Sequence, residues 1–320
     1  MAQQSAKTGL SHRHLIDITE YSEEDIMLLL QTAHRFREVN ERRIKKVPTL
    51  KGYTVVNMFN EPSTRTKSSF ELAEKRLSCD TMAFGGTSTS TVKGESLVDT
   101  VKTLCSYKID CIVVRDKHAG APYKIAQTSG LPVIDAGDGK HQHPTQALLD
   151  LYSIWEAKGT LEGLHVGIVG DINHSRVCGS LIPALKIMGA TVTVIAPNTL
   201  LPARPDILGA DYVTANLDEA LPELDVVYML RIQMERIEDA PFPSLREYSL
   251  LYGLNKDREK LMRPDTIICH PGPINRGVEL DSYMADHSTR SKILDQVYAG
   301  ILTRMAVLYL LLGGNDGANS

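Results

Sequence analysis

The sequence lacks an excess of charge of either sign and lacks a long hydrophobic run. Its 35 basic and 39 acidic residues leave a net charge of -4, so no global positive field would attract nucleic acid or an anionic membrane. The most apolar run, Met305–Leu312, is too short to span a bilayer, and residues 1–10 contain no apolar signal segment. We therefore expect a protein that binds neither nucleic acid nor a membrane.

The sequence also lacks paired cysteines. Its five cysteines are odd in number, are scattered along the chain and form no C-x-x-C motif. This pattern is typical of a reducing compartment and disfavours a structural zinc site. We therefore expect a cytoplasmic protein.

Short β-rich apolar runs alternate with segments of helical periodicity, which indicates an α/β fold. At 320 residues the chain exceeds one ordinary hydrophobic core. We predict two domains, each a parallel sheet flanked by helices, linked by two interdomain helices that begin near Pro144 and Leu294. The domains are residues 1–143, completed by a C-terminal helix at 294–312, and residues 144–293, followed by a disordered tail at 313–320. The predicted strands are Thr54–Phe59, Ile109–Val114, His165–Gly170, Thr191–Ala196, Val226–Leu230 and Thr266–Cys269.

Ligands in open α/β sheets bind beyond the carboxyl ends of the strands, so the residues that follow each strand are the first candidates. After Thr54–Phe59 the chain turns at Pro62 into a predicted helix, Arg65–Leu77, whose first amides have no partner within the helix. Three hydroxyl side chains and one guanidinium stand at this point: Ser63, Thr64, Arg65 and Thr66. An ordinary Ser/Thr helix cap is the alternative, but this density of donors favours a phosphate-binding segment.

Three further arginines follow predicted strands: Arg115, Arg176 and Arg231. Their equivalent positions suggest that they converge on a site for polyanionic ligands. His143 lies at the predicted domain junction, where it can donate a hydrogen bond to a substrate carbonyl. His141 and His143 form half of a metal site at most, and no further ligands stand at usable spacing, so we expect neither a metal nor a cofactor.

Two other classes of protein deserve comparison. A dinucleotide-dependent oxidoreductase is suggested by Gly167 and Gly170, but their spacing is G-x-x-G and not G-x-G-x-x-G. A non-catalytic homologue of an enzyme would show gaps in its set of ligand-binding residues, and we find none.

Five motifs together resemble the aspartate and ornithine transcarbamoylases over nearly the whole chain. They are residues 59–71 around Ser63–Thr66, Ser90–Glu95, His143-Pro-Thr-Gln146, Met229–Arg236 and His270-Pro-Gly-Pro273. The resemblance implies an enzyme that transfers the carbamoyl group of carbamoyl phosphate to the amino group of L-aspartate. Its products would be N-carbamoyl-L-aspartate and phosphate, in an early step of de novo pyrimidine biosynthesis.

The resemblance also implies roles for individual residues. Arg65, Thr66, Lys93, Arg115 and His143 would be catalytic. The residues implied to bind carbamoyl phosphate are Ser63, Thr64, Arg65, Thr66, Ser90, Lys93, Arg115, His143, Gln146, Gly272 and Pro273. Those implied to bind aspartate are Lys93, Arg176, Arg231 and Gln233. The loop with Ser90 and Lys93 would come from a neighbouring subunit of a homotrimer with shared active sites, and Thr89 remains an alternative to Ser90.

Ornithine, or another amine, is the alternative acceptor. Ornithine transcarbamoylases typically carry His-Pro-Cys-Gln and His-Cys-Leu-Pro, whereas this chain has Thr145 and Gly272 at those motifs. Two guanidinium groups, of Arg176 and Arg231, suit the two carboxylates of aspartate and would repel the cationic side chain of ornithine. The resemblance leaves open a regulatory chain or a dihydroorotase as an additional partner, and it leaves cooperativity and nucleotide control open too.

Overall fold

The computed structural model describes residues 9–85, 95–232 and 244–313. Within them the chain divides into two compact units: residues 1–149 with 299–320, and residues 150–298. The division falls inside two helices, Pro144–Lys158 and Ile293–Leu308. Each unit contains one fully parallel sheet, as predicted for an α/β chain.

The sheet of the first unit has the strand order β2-β1-β3-β4. β2, which follows β1 in the chain, therefore lies on one side of β1, and β3 lies on the other side. The order of the strands thus reverses between β1 and β3. The core of this unit packs apolar side chains of β1 and β3 against the neighbouring helices. Its strands are β1 (Thr54–Phe59), β2 (Asp80–Phe84), β3 (Cys111–Asp116) and β4 (Val133–Asp138).

The sheet of the second unit has the strand order β7-β6-β5-β8-β9, so its order reverses between β5 and β8. The interior strands are mostly apolar and almost wholly buried, as expected where helices cover both faces of a parallel sheet. Its strands are β5 (His165–Val169), β6 (Thr191–Ile195), β7 (Tyr212–Thr214), β8 (Val226–Met229) and β9 (Ile267–Cys269).

The helices predicted to begin at Arg65, Pro144 and Leu294 begin within one residue of those positions, at Thr64, Pro144 and Ile293. The first helix of the chain begins after Ser22, whose hydroxyl accepts a hydrogen bond from the Asp25 backbone N–H at 3.2 Å. The helices are α1 (Glu23–Glu41), α2 (Thr64–Leu77), α3 (Leu97–Ser106), α4 (Ala121–Ser129), α5 (Pro144–Lys158), α6 (Arg176–Ile187), α7 (Leu217–Ala220), α8 (Leu245–Tyr252), α9 (Lys256–Glu259), α10 (Ser282–Asp286) and α11 (Ile293–Leu308).

The last helix continues as one π-helical turn, Tyr309–Gly313. Together these 21 residues are long and apolar enough to cross a membrane, with a mean hydropathy of 1.4, which the shorter run predicted from sequence did not suggest. However, 72% of the apolar window is buried within the protein. It therefore has the character of a core helix. The predicted disordered tail lies outside the described residues except for Gly313.

Candidate functional site

The predicted phosphate-binding segment begins at the carboxyl end of β1. Ser63 precedes the first turn of α2 in an extended conformation, and its hydroxyl makes no capping hydrogen bond to that turn. The first turn contains no acidic side chain. Thr66 is buried and Arg65 is exposed. The amides, the hydroxyls and the guanidinium of this segment can therefore surround an anion.

Arg115 lies next to this segment, at the end of β3. It stands opposite Phe59, the last residue of β1, and its backbone carbonyl accepts a hydrogen bond from the Asn60 N–H at 2.9 Å. Its guanidinium donates to the Ala136 carbonyl at 3.2 Å and lies 3.4 Å from a carboxylate oxygen of Glu61. Since two separate segments, 60–61 and β4, hold it, the arginine is fixed at the point where the strand order reverses.

A shift in the β3–β4 register falls at Arg115, because Val114 pairs with Asp135 while Asp116 pairs with Asp138. Such irregularities commonly redirect a side chain at the rim of a sheet. Asn60 also donates from its side chain to Asp116 at 2.7 Å. The sequence motif did not single out Asn60 or Asp116 as supports, although both are polar residues at strand ends.

His143 follows β4 and directly precedes Pro144, the first residue of α5. Its carbonyl accepts the backbone N–H groups of Gln146 and Ala147, at 2.9 and 3.2 Å. The imidazole is 5% exposed, and its Nδ1 is 3.5 Å from the Thr145 hydroxyl. The turn between β4 and His143 needs glycine at position 139, because a Cβ there would lie 2.8 Å from the Ala119 nitrogen.

The predicted ligands of the first unit thus lie at or beyond the carboxyl ends of three neighbouring parallel strands, β1, β3 and β4, at one edge of one sheet. The structure brings together Ser63, Thr64, Arg65, Thr66, Arg115, His143 and Gln146 at this edge. Ser90 and Lys93, with the alternative Thr89, lie outside the described residues.

The second unit repeats this arrangement with other residues. Arg176 is the first residue of α6, which follows β5, and is 5% exposed. Arg231 comes two residues after β8 and is half-buried. These two arginines therefore flank the β5–β8 reversal, as Ser63–Thr66 and Arg115 flank the β1–β3 reversal. Gln233, the third predicted aspartate ligand, lies outside the described residues.

The turn His270-Pro-Gly-Pro273 follows β9, the strand beside β8. Gly272 has a φ of +62°, a left-handed conformation that favours glycine, and its peptide bond to Pro273 is cis. Both predicted ligands of this turn, Gly272 and Pro273, belong to the second unit.

Two buried cysteines are poor candidates for a nucleophile. Burial raises the pKa of the thiols of Cys79 and Cys178 to about 12, so neither is a ready nucleophile. Among the described residues, no group of three His, Cys, Asp or Glu side chains could hold a metal ion.

Two family models cover the chain. Residues 13–156 match the carbamoyl-phosphate binding domain of the aspartate/ornithine carbamoyltransferases, and residues 162–311 match their aspartate/ornithine binding domain.

Individual members of this family are similar to the chain over nearly its whole length. The aspartate carbamoyltransferase catalytic subunit of Syntrophotalea carbinolica is 52% identical over 306 residues, covering 96% of this chain and 97% of that protein. The catalytic subunit of M. jannaschii aspartate transcarbamoylase is 34% identical, with a TM-score of 0.83 over 96% of this chain and 100% of that one. An aspartate transcarbamoylase from Trypanosoma cruzi, in complex with carbamoyl phosphate and aspartate, is 29% identical, with a TM-score of 0.85 over 93% of this chain and 96% of that one. The chain therefore belongs to the aspartate/ornithine carbamoyltransferase family.

Proposed function

We propose that this chain is the catalytic chain of an aspartate carbamoyltransferase. It transfers the carbamoyl group of carbamoyl phosphate to the amino group of L-aspartate and releases N-carbamoyl-L-aspartate and phosphate. The observation that carries the choice of acceptor is the 52% identity, over nearly the full length of both chains, to a protein of that name. The reaction supplies an early step of pyrimidine biosynthesis.

The proposed donor site is the edge of the first sheet. Arg65 and the hydroxyls and amides of Ser63, Thr64 and Thr66 bind the phosphate. This assignment is supported by the first turn of α2, which carries no acidic side chain and no hydroxyl cap from Ser63. Gln146 contacts the carbamoyl amide, and Gly272 and Pro273 are further ligands of carbamoyl phosphate.

The proposed chemistry is direct attack by the uncharged amine of aspartate on the carbonyl carbon. The carbonyl oxygen gains negative charge as the tetrahedral intermediate forms, and Thr66, Arg115 and His143 stabilise it by hydrogen bonds. The leaving phosphate takes up the amine proton through one of its own oxygens. The protein then needs no covalent nucleophile, and the orientation of the two substrates supplies much of the acceleration.

The proposed acceptor site contains Arg176, Arg231 and Gln233, with Lys93 from the loop at 90–95. A guanidinium fork pairs with a carboxylate through two parallel hydrogen bonds, and aspartate has two carboxylates. Arg176 is well placed for this role because its side chain starts at the first residue of α6, where the helix also favours anions.

A product assay tests the choice of acceptor. Carbamoyl phosphate is supplied with L-aspartate or with L-ornithine, and the carbamoylated amine is identified by mass. We expect N-carbamoyl-L-aspartate and no carbamoyl-ornithine. Carbamoyl-ornithine as the main product would overturn the proposal.

We also propose that the active sites are shared in a homotrimer, with Ser90 and Lys93 supplied by a neighbouring subunit. Mixing Lys93→Ala chains with Arg115→Ala chains should restore activity, because a mixed trimer contains one interface with both native residues. For equal mixing, about one quarter of the wild-type sites are restored. No recovery in confirmed mixed trimers would show that one chain builds the whole site.

The proposed compartment is the cytoplasm. All five cysteines are free thiols, four of them buried, as expected in a reducing environment.

A further inference from the structure

The turn His270–Pro273 begins at a histidine whose proton position follows from its neighbours. The imidazole is 2% exposed, and its Nδ1 lies 2.8 Å from the backbone nitrogen of Gly272. A backbone N–H can only donate, so Nδ1 accepts and carries no proton. The single ring proton is then on Nε2, which donates to Glu279 Oε1 at 3.2 Å.

The Glu279 carboxylate receives donors from both ends of this segment. Its Oε1 accepts the ring N–H of His270 and, at 2.6 Å, the backbone N–H of Asn275. One oxygen atom therefore closes the six-residue segment from 270 to 275 into a loop, with Gly272 and Pro273 at its tip. Neither end of the segment can shift without losing a bond to this oxygen.

The burial of Glu279 is costly. Its side chain is fully buried, and its second oxygen has no hydrogen-bond partner within residues 9–85, 95–232 and 244–313. A carboxylate in such a place costs free energy unless its hydrogen bonds compensate.

Asn275 connects the same loop to the segment that follows β8. Its side-chain nitrogen donates to the carbonyl of Ile232 at 2.9 Å. Ile232 is 1% exposed and directly follows Arg231, the proposed aspartate ligand. The position of the Arg231 backbone thus depends on Asn275, whose backbone Glu279 holds.

A buried network fixes the start of the loop from behind. The His270 N–H donates to Gln296 Oε1 at 2.8 Å, and Gln296 Nε2 donates to Asp150 Oδ1 at 2.7 Å. The other oxygen of Asp150 accepts from the Tyr228 hydroxyl at 2.7 Å. Because this network anchors the backbone at His270 while Glu279 anchors its ring, the turn has one orientation.

We propose that Glu279, acting through His270 and Asn275, is a positioning residue for the substrate-binding segments of the second unit. It sets the distance between the turn at Gly272–Pro273 and the segment that carries Arg231. The inference rests on the proposed function, since it takes the ligand roles of those residues from it. Glu279 itself touches neither substrate.

The main variant is Glu279→Gln, which keeps the shape and weakens the acceptor. A displacement of about 1 Å at a binding group can cost on the order of 10²-fold in rate, so we expect kcat/KM for aspartate to fall by about 10- to 100-fold. The dissociation constant of inorganic phosphate, measured by calorimetry, should change by less than about twofold, since its proposed ligands Ser63–Thr66 belong to the first unit.

A matched control stands at the amino end of β9. Glu259 is a partly exposed carboxylate that accepts from the Ser288 hydroxyl at 2.8 Å and lies 3.5 Å from the Arg290 guanidinium. Glu259→Gln also weakens a carboxylate that holds a loop beside β9, but at the end remote from the turn. We expect it to lower the melting temperature and to leave the KM for aspartate unchanged.

Two histidine variants separate the two bonds of the ring. His270→Asn places an oxygen near Nδ1 and preserves the acceptor for Gly272, whereas His270→Gln places an amide nitrogen near Nε2 and preserves the donor to Glu279. If Glu279 positions the loop through the ring, His270→Gln retains more kcat/KM for aspartate than His270→Asn. The opposite order would overturn the role of the His270–Glu279 bond.

Asn275→Ala keeps the inference testable if Glu279→Gln fails to fold. This residue is half-buried, and the change removes only the bond to Ile232 while the backbone N–H to Glu279 remains. We expect a raised KM for aspartate and a small fall in melting temperature, because the buried carbonyl of Ile232 loses its donor. An active wild type combined with unchanged aspartate kinetics in Asn275→Ala and in folded Glu279→Gln would overturn the inference, whereas a wild type that does not carbamoylate aspartate would overturn the proposed function instead.

Discussion

The two units of the molecule hold their proposed ligands in different ways. Each contains a parallel sheet whose strand order reverses once, and each places its candidate residues at that reversal. In the first unit, four of these residues are consecutive, Ser63–Thr66, and the start of one helix presents them. In the second unit, Arg176, Arg231 and the turn at 270–273 come from three strand ends. The phosphate-binding segment of the first unit thus depends on one helix terminus. The residues of the second unit come from separate segments and depend on hydrogen bonds that hold those segments together.

The largest effect that would sharpen this comparison is expected from Arg65→Ala. Removing one preorganised hydrogen-bond donor to a group that carries or gains negative charge typically lowers the rate by a factor on the order of 10² to 10³. We expect kcat/KM for carbamoyl phosphate to fall by about that factor, in steady-state kinetics at saturating aspartate. Lys75→Ala, at the last turn of the same helix, is the control and should behave as the wild type. Unchanged kinetics in Arg65→Ala would contradict the phosphate assignment.

Arg231→Lys should have a smaller and more selective effect. Lysine keeps the positive charge but cannot form the planar, two-bond contact of a guanidinium with a carboxylate. The loss of one charge-assisted hydrogen bond is worth about 1.5–3 kcal/mol, so we expect the KM for aspartate to rise by about 10- to 100-fold. The measurement is initial velocity against aspartate concentration at saturating carbamoyl phosphate. An equal rise in the KM for carbamoyl phosphate would show that the two binding functions are not divided as proposed.

The smallest effect on catalysis is expected at Glu74, a carboxylate that is fully buried in the first unit. Both of its oxygens lie 2.9 Å from the Asn57 side-chain nitrogen, which joins α2 to β1. Burial raises the pKa of Glu74 to about 7, against the opposing effect of that hydrogen bonding. The folded protein therefore keeps a proton on Glu74 at pH values where the unfolded chain has lost it.

The pH dependence of stability follows from this raised pKa. The contribution of Glu74 is most favourable below the ordinary carboxyl pKa of about 4.3 and is lost as the pH rises to about 7. Between about pH 8 and about pH 5.5 the wild type should gain about 2 kcal/mol in the free energy of unfolding relative to Glu74→Gln. Urea denaturation of both proteins at the two pH values measures it. Parallel pH profiles would show that Glu74 does not titrate in this range.

The contiguous features of the molecule could be predicted from sequence. The predicted Thr54–Phe59 strand matches β1 at both ends, because an apolar run and Pro62 mark its limits. The start of α5 at Pro144 was predicted for a similar reason. The phosphate-binding segment was visible because its donors are neighbours in the chain and follow a strand.

Three strands, β2, β4 and β7, were not predicted, and each lacks a continuous apolar run. β4 contains Asp135 and Asp138, which interrupt its apolar residues, but both are fully buried and accept backbone N–H groups from Gly137 and Gly120. The exposed pattern of β7 carries no signal of burial. β3 begins and ends two residues later than predicted, so Arg115 lies within the strand and does not follow it.

The supports of the second unit could not be predicted in the same way. In the sequence His270 is only the first residue of a motif, and its bond to Glu279 joins residues nine positions apart whose contact depends on the fold. The Asn275–Ile232 contact spans 43 positions. No local pattern of residue types distinguishes the polar residues that form such buried bonds from those exposed to solvent.

The phosphate ligands Ser63–Thr66 belong to the first unit, and the aspartate ligands Arg176 and Arg231 belong to the second. Calorimetric titration of carbamoyl phosphate into the wild type, Arg65→Ala and Arg231→Ala tests this division. We predict wild-type affinity in Arg231→Ala and loss of measurable binding in Arg65→Ala. Equal losses of affinity in the two variants would contradict it.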